Sequence, residues 1–146
     1  MNSYIRYPSE WDNQVKTFHR LDNETTDNVE VTIACAVQAL NVYYLPDLIQ
    51  WKLEQGFRKI NMWPFGAGGI SQHFVYWPAH LNVKVLPEWF KKECRRKYEA
   101  WYPWWEANWD LGIPSWRKGK VEYEQWRSAE YGIKRLNGIL SFMAVS

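Results

Sequence analysis

Between Val29 and Val37 the chain reads Val-Glu-Val-Thr-Ile-Ala-Cys-Ala-Val, almost without polar interruption. β-Branched and small residues at that density favour extended backbone, and the scarcity of polar alternation predicts a strand buried on both faces, as in a parallel sheet. Such a strand needs partners beside it and helices over it, so this one run limits the fold class more than any other segment.

Its surroundings agree. Ahead of it, Trp11, Val15, Phe18 and Leu21 recur at helical spacing, with Ser9 as a cap and Glu10 and Asp12 in the first turn; the polar string Asp22 to Asn28 ends that helix. After it, Leu45, Leu48, Ile49, Leu53 and Phe57 mark a second amphipathic helix, opened by Pro46 and closed by Gly56. Arg58 to Trp63 then reads as a further short strand stopped by Pro64. Helix, strand, helix, strand in that order implies right-handed crossovers and a parallel sheet. Two strands leave both sheet edges bare, so the sequence reads as though it began in the middle of a larger unit.

Beyond Pro64 the chain changes character. Gly66-Ala67-Gly68-Gly69 is a flexible loop, and Leu81, Val83 and Val85 alternate with Asn82 and Lys84 as in a half-exposed strand or extended segment over Leu81 to Leu86. Pro87 opens a long helix with Trp89, Phe90, Cys94, Tyr98 and Trp101 on its apolar side, which Pro103 is expected to stop or kink. A loop marked by Gly112, Pro114 and Gly119 leads to a last helix through Tyr131, Leu136, Ile139, Leu140 and Met143.

Eleven tryptophans in 146 residues give this chain an unusual amount of aromatic surface to cover, which argues against disorder. The net charge of +2 favours neither nucleic acid nor an acidic membrane as main partner. No apolar run reaches the ~18 residues of a membrane span and no signal-peptide core is present, so a cytoplasmic location is expected. Cys35 and Cys94 read as two reduced thiols.

Few groups announce chemistry. The Gly66–Gly69 loop follows a strand but lacks both the dinucleotide fingerprint and the Gly-Lys-Ser/Thr of a P-loop. His19, His73 and His80 have no metal-ligand spacing; His19 suits a helix end, and His73 and His80 flank an aromatic stretch as structural hydrogen-bonding groups or at a pocket mouth. Trp101, Tyr102, Trp104, Trp105, Trp109 and Trp116 admit two readings: rings packing a helix onto the sheet, or a platform for sugars or unpaired bases.

Several stretches, taken in order, resemble one family. Ser3 to Trp11, Val29 to Asn41, Pro78 to Lys91 and Tyr131 to Leu136 are similar to successive segments of the twitch-type radical-SAM enzymes of phage and marine environmental origin. The resemblance implies an α/β fold: residues 1–86 would form the C-terminal part of a radical-SAM (β/α)6 partial barrel with parallel strands, and 87–146 a helical, Trp-rich extension. In that family a Cys-x-x-x-Cys-x-x-Cys loop holds a [4Fe–4S] cluster that cleaves S-adenosylmethionine. This chain has neither that triplet nor a Gly-Gly-Glu-Pro segment, so it is not expected to hold the cluster or react alone.

What the resemblance leaves is one wall of an S-adenosylmethionine pocket. It would place Ala36, Val37 and Asn41 against the adenine and ribose, Met62 and Pro64 near the adenine, and Arg6 by the carboxylate or ribose. As plain structure, Val37 and Met62 are core and Asn41 a turn cap. The expected partner is the missing N-terminal half of the barrel, in the same or a separate chain, with the substrate unspecified. Two other functions stay open: a Trp-rich binding module for carbohydrate or single-stranded nucleic acid, and a subunit completing a partner's sheet through the edge of Val29–Val37.

Overall fold

The computed structural model describes residues 10–24, 31, 33–57, 60, 74–112 and 128–144. Four α-helices organise them: α1 (Trp11–Glu24), α2 (Leu45–Glu54), α3 (Glu88–Asn108) and α4 (Ala129–Ala144). Short 3-10 turns at Val42–Tyr44, Ala79–Leu81, Val83–Val85 and Trp109–Gly112 connect or extend them.

The expected α/β partial barrel with parallel strands is not what forms. Among the described residues no strand ladder exists; the run after Val29 makes only two isolated parallel pairings, Val31 with Ile60 and Val37 with Phe74. The reason lies in the alanines. Ala34 and Ala36 face solvent while Ile33, Cys35 and Val37 turn inward, so the run is covered on one face, not two. Small outward residues made it look continuously apolar. Its inner face is covered by helix instead of by neighbouring strands, with Val37, Cys94 and Tyr98 in one hydrophobic core that Cys35 packs against.

α3 and α4 form the central pair. They run antiparallel: Tyr102 donates to Asn137 Oδ1 at 2.7 Å, while Trp105, later on α3, donates through Nε1 to Ala129 O at 2.8 Å, at the start of α4. Trp105, Tyr98, Leu136, Ile139, Leu140 and Met143 are all buried between them and their neighbours. The tryptophans therefore pack helix on helix, where a sheet was expected beneath them.

Pro103 does not stop α3, which continues to Asn108. A proline inside a helix forfeits one backbone hydrogen bond and crowds the preceding turn, at a cost of about 3 kcal/mol. Here Trp101, Trp104 and Trp105 on either side are held by stacking, with centroids 5.6 and 5.8 Å apart, and Trp105 is wholly buried. Burying such rings contributes on the same scale and offsets the loss.

α1 and α2 pack through Trp51, whose ring lies 4.8 Å from Trp11 and 6.0 Å from Phe18. α2 begins with Pro46 in its first turn and is followed by Gly56 at φ 66, as the sequence predicts. Where a half-exposed strand or extended segment is expected at Leu81–Leu86, the 3-10 turns Ala79–Leu81 and Val83–Val85 form, with extended backbone only at Asn82 and Leu86. The Asn82 side chain breaks the pattern beyond it by accepting a hydrogen bond from Lys84 N at 3.0 Å. The stretch from Val75 to Leu81 is fastened to Val37 and the turn after it by Val75 N to Val37 O at 2.9 Å and Ala39 N to Leu81 O at 2.8 Å.

Candidate functional site

The turn after Val37 sets up the most distinctive surface. Asn41 closes it: its Oδ1 accepts from Gln38 N and its Nδ2 donates to Ala36 O, both at 2.9 Å. Val42 N then reaches back to Gln38 O at 3.0 Å, and the buried Tyr98 hydroxyl on α3 donates to Val42 O. Those bonds fix Val42–Tyr44 as a 3-10 turn and carry Tyr43 and Tyr44 outward over the first turns of α3.

There they join a continuous row of rings. Tyr44 meets Tyr43 edge-on at 5.2 Å, Tyr43 meets Phe90 at 5.6 Å, and Phe90 meets Trp89 at 5.6 Å. The ends of the row are open: Trp89 is 70% exposed and Tyr44 46%. Its two inner rings, Tyr43 and Phe90, are half-buried against the core, so the row anchors two exposed rings at its ends. Buried aromatics are ordinary, whereas exposed ones joined in this way are the informative case. Among the described residues Tyr76 and Trp77 are also exposed, and Tyr76 belongs to a second ring group with Phe74 and Phe142.

The polar rim of the row is made of paired charges. Lys97 Nζ stands 4.0 Å over the Tyr43 ring and 4.9 Å over Tyr44, and it also donates to Asp47 Oδ2. Arg96 forks onto Glu93, with Nε 2.9 and 3.0 Å from its two carboxylate oxygens. That hydrogen bonding holds the Glu93 carboxyl below its usual range and pushes the Arg96 guanidinium up. Elsewhere on α3, away from the row, the buried Lys91 pairs with Glu88 and Arg95 with Glu99.

The residues expected to line an S-adenosylmethionine pocket fall as follows. Ala36, Val37 and Asn41 are brought together by the turn, with Ala36 exposed, Val37 wholly buried in the core, and the Asn41 amide engaged in closing the turn. Arg6, Met62 and Pro64 lie outside the described residues, as do the Gly66–Gly69 loop, His73 and Trp116. His80 is exposed, and His19 bonds to Gln55 Oε1 at 3.0 Å with its ring against Phe57. Of the suspected tryptophan platform, Trp105 is wholly buried and Trp101, Trp104 and Trp109 are half-buried.

Sequence reasoning missed the row from Tyr44 to Trp89. Adjacent tyrosines before a helix, and Trp-Phe in the first turn of another, were the available signals; nothing local says that they meet. It also missed Gln38, whose Oε1 is the single buried side-chain polar atom without a hydrogen-bond partner among the described residues.

Buried titratable groups lie in the core beneath. Burial pushes the thiols of Cys35 and Cys94 up to about 11 and brings Lys52, on α2, down to about 8. Both cysteines are free thiols. Among the described residues no group of three or more His, Cys, Asp or Glu side chains is placed to hold a metal ion, and no helix is long and apolar enough to cross a membrane.

No family model, no curated protein and no solved structure matches this chain.

Proposed function

We propose that this protein is a helical binding module that takes a flat-faced ligand, a saccharide or an unpaired base, on the aromatic row from Tyr44 to Trp89. One observation carries the reading: the row is continuous and open at both ends, although the same chain buries Trp105 and Tyr98 completely. Rings are left outside where a partner covers them. Of the aromatic platform expected over Trp101 to Trp116, Trp105 is core and Trp101, Tyr102, Trp104 and Trp109 pack against it, which favours the other end of α3 as the binding face.

The reading drawn from the radical-SAM resemblance depended on parallel strands to build a cofactor wall. The helical arrangement lends it no support, whereas the aromatic face needs no missing half.

The test is an NMR titration following the indole N–H resonances, with the Trp89 signal identified by its loss in Trp89→Ala. A saccharide or oligonucleotide that moves the Trp89 signal supports the module. Failure of both ligand classes to move it removes the proposal.

A further inference from the structure

Resting on that binding-face reading, we infer that the ligand of the row from Tyr44 to Trp89 is an uncharged saccharide and not a nucleic acid strand. The argument is electrostatic. By sequence the first half of α3 looks strongly basic, with Lys91, Lys92, Arg95, Arg96 and Lys97 within two turns. In the fold, Lys91 sits on Glu88, Arg95 on Glu99, Arg96 on Glu93 and Lys97 on Asp47, and of these five cations Lys92 alone has no carboxylate partner among the described residues.

Affinity for a phosphate backbone comes largely from cations that replace condensed counterions, each worth roughly one unit in the slope of log K against log salt. A cation already held by a carboxylate must leave it to do this, and the carboxylate left behind repels the phosphate. The face therefore lacks the field that a strand of phosphates requires. A neutral sugar asks for something else. Its axial C–H face lies on an aromatic ring, and its hydroxyls both donate and accept hydrogen bonds around the edge.

Paired side chains supply that edge. Asp47 beside Lys97, and Glu93 beside Arg96, each put an acceptor next to a donor at a fixed separation, which suits adjacent hydroxyls. The phenol hydroxyls of Tyr43 and Tyr44 add groups that do both. Because Lys97 already occupies one face of each tyrosine, the open ring for stacking is Trp89.

The experiment titrates the whole chain with four neutral hexasaccharides (cellohexaose, xylohexaose, maltohexaose and chitohexaose) and with an oligothymidylate, following the Trp89 indole resonance. At least one hexasaccharide is expected to move it, with an affinity that stays constant across a tenfold rise in salt. Trp89→Ala should weaken that binding by about tenfold or more. The double variant Asp47→Asn, Glu93→Gln releases Lys97 and Arg96, and should lose saccharide while gaining salt-sensitive oligothymidylate binding. Oligothymidylate moving the Trp89 signal of the unaltered chain, with every hexasaccharide silent, overturns the saccharide assignment and leaves the binding face standing. Saccharide binding that leaves Trp89 unmoved also overturns it. Silence from all five probes removes both the assignment and the face.

Discussion

Trp105 on α3 occupies the space where a side chain at Gly132 on α4 would begin: a Cβ added there would lie 2.6 Å from the indole Nε1 and nearer still to the ring carbons. No real Cβ tolerates such an approach, so the glycine is what lets the largest buried ring among the described residues seat between these helices.

Gly132→Ala is accordingly expected to destabilise the fold by about 1–3 kcal/mol, despite the roughly 1 kcal/mol that alanine adds to helix propensity. Trp105→Leu should also destabilise, by about 2–4 kcal/mol, through lost burial and the lost bond to Ala129 O. The double variant should be less damaged than the sum of the two by at least about 1 kcal/mol. Urea unfolding of the four proteins checks this. Strict additivity would mean that the close approach is unimportant.

Lys52 gives a pH signature. Burial brings its ammonium down to about 8 in the fold, against the ordinary 10.5 of an exposed lysine. Between those values the unfolded chain binds the extra proton, so this residue's contribution makes stability rise with pH from about 8 to 10.5. The buried thiols and Tyr102 shift the other way and pull stability down over part of that range. Subtracting the profile of Lys52→Met isolates the lysine: wild type should gain on the variant by about 2–3 kcal/mol as pH rises through the window. A difference that is flat with pH would contradict the burial of the ammonium.

Both cysteines should be slow nucleophiles in the native protein. With thiols at about 11, in place of 9.0 for the exposed group, the thiolate fraction at pH 8 falls about a hundredfold. The higher-pKa thiolates are each more nucleophilic, which offsets part of that loss, so an aromatic disulfide reagent at pH 8 should react about tenfold or more faster with the urea-unfolded chain than with the native one. Equal rates would show that neither thiol is covered.

How much of this was legible in the sequence varies with how local the cause is. The boundaries of α2 were, because Pro46 and Gly56 act on their own backbone. The last helix was too, since Leu136, Ile139, Leu140 and Met143 share one face and all four are buried. The Val29–Val37 run misled because a hydrophobic pattern encodes burial and not the kind of element that provides it. Ala34 and Ala36 look apolar in a sequence yet cost little when exposed. Pro103, expected to stop or kink its helix, does not stop it: the local cost is real, and the burial of the neighbouring tryptophan rings in the fold outweighs it. The aromatic row was invisible because Tyr43 and Phe90 become neighbours only once Tyr98 has pinned the Val42 carbonyl.

That pinning divides α3 into two regions. Its later turns hold Tyr98, Tyr102 and Trp105 against α4, while its first turn carries the outward Trp89. The two ends share a backbone but few side-chain obligations. The outward Trp89 can therefore be exchanged at little expense to folding, whereas its neighbours Phe90 and Lys91 pack inward and cannot. At that one position, what α3 offers to a ligand is separable from what keeps it in place.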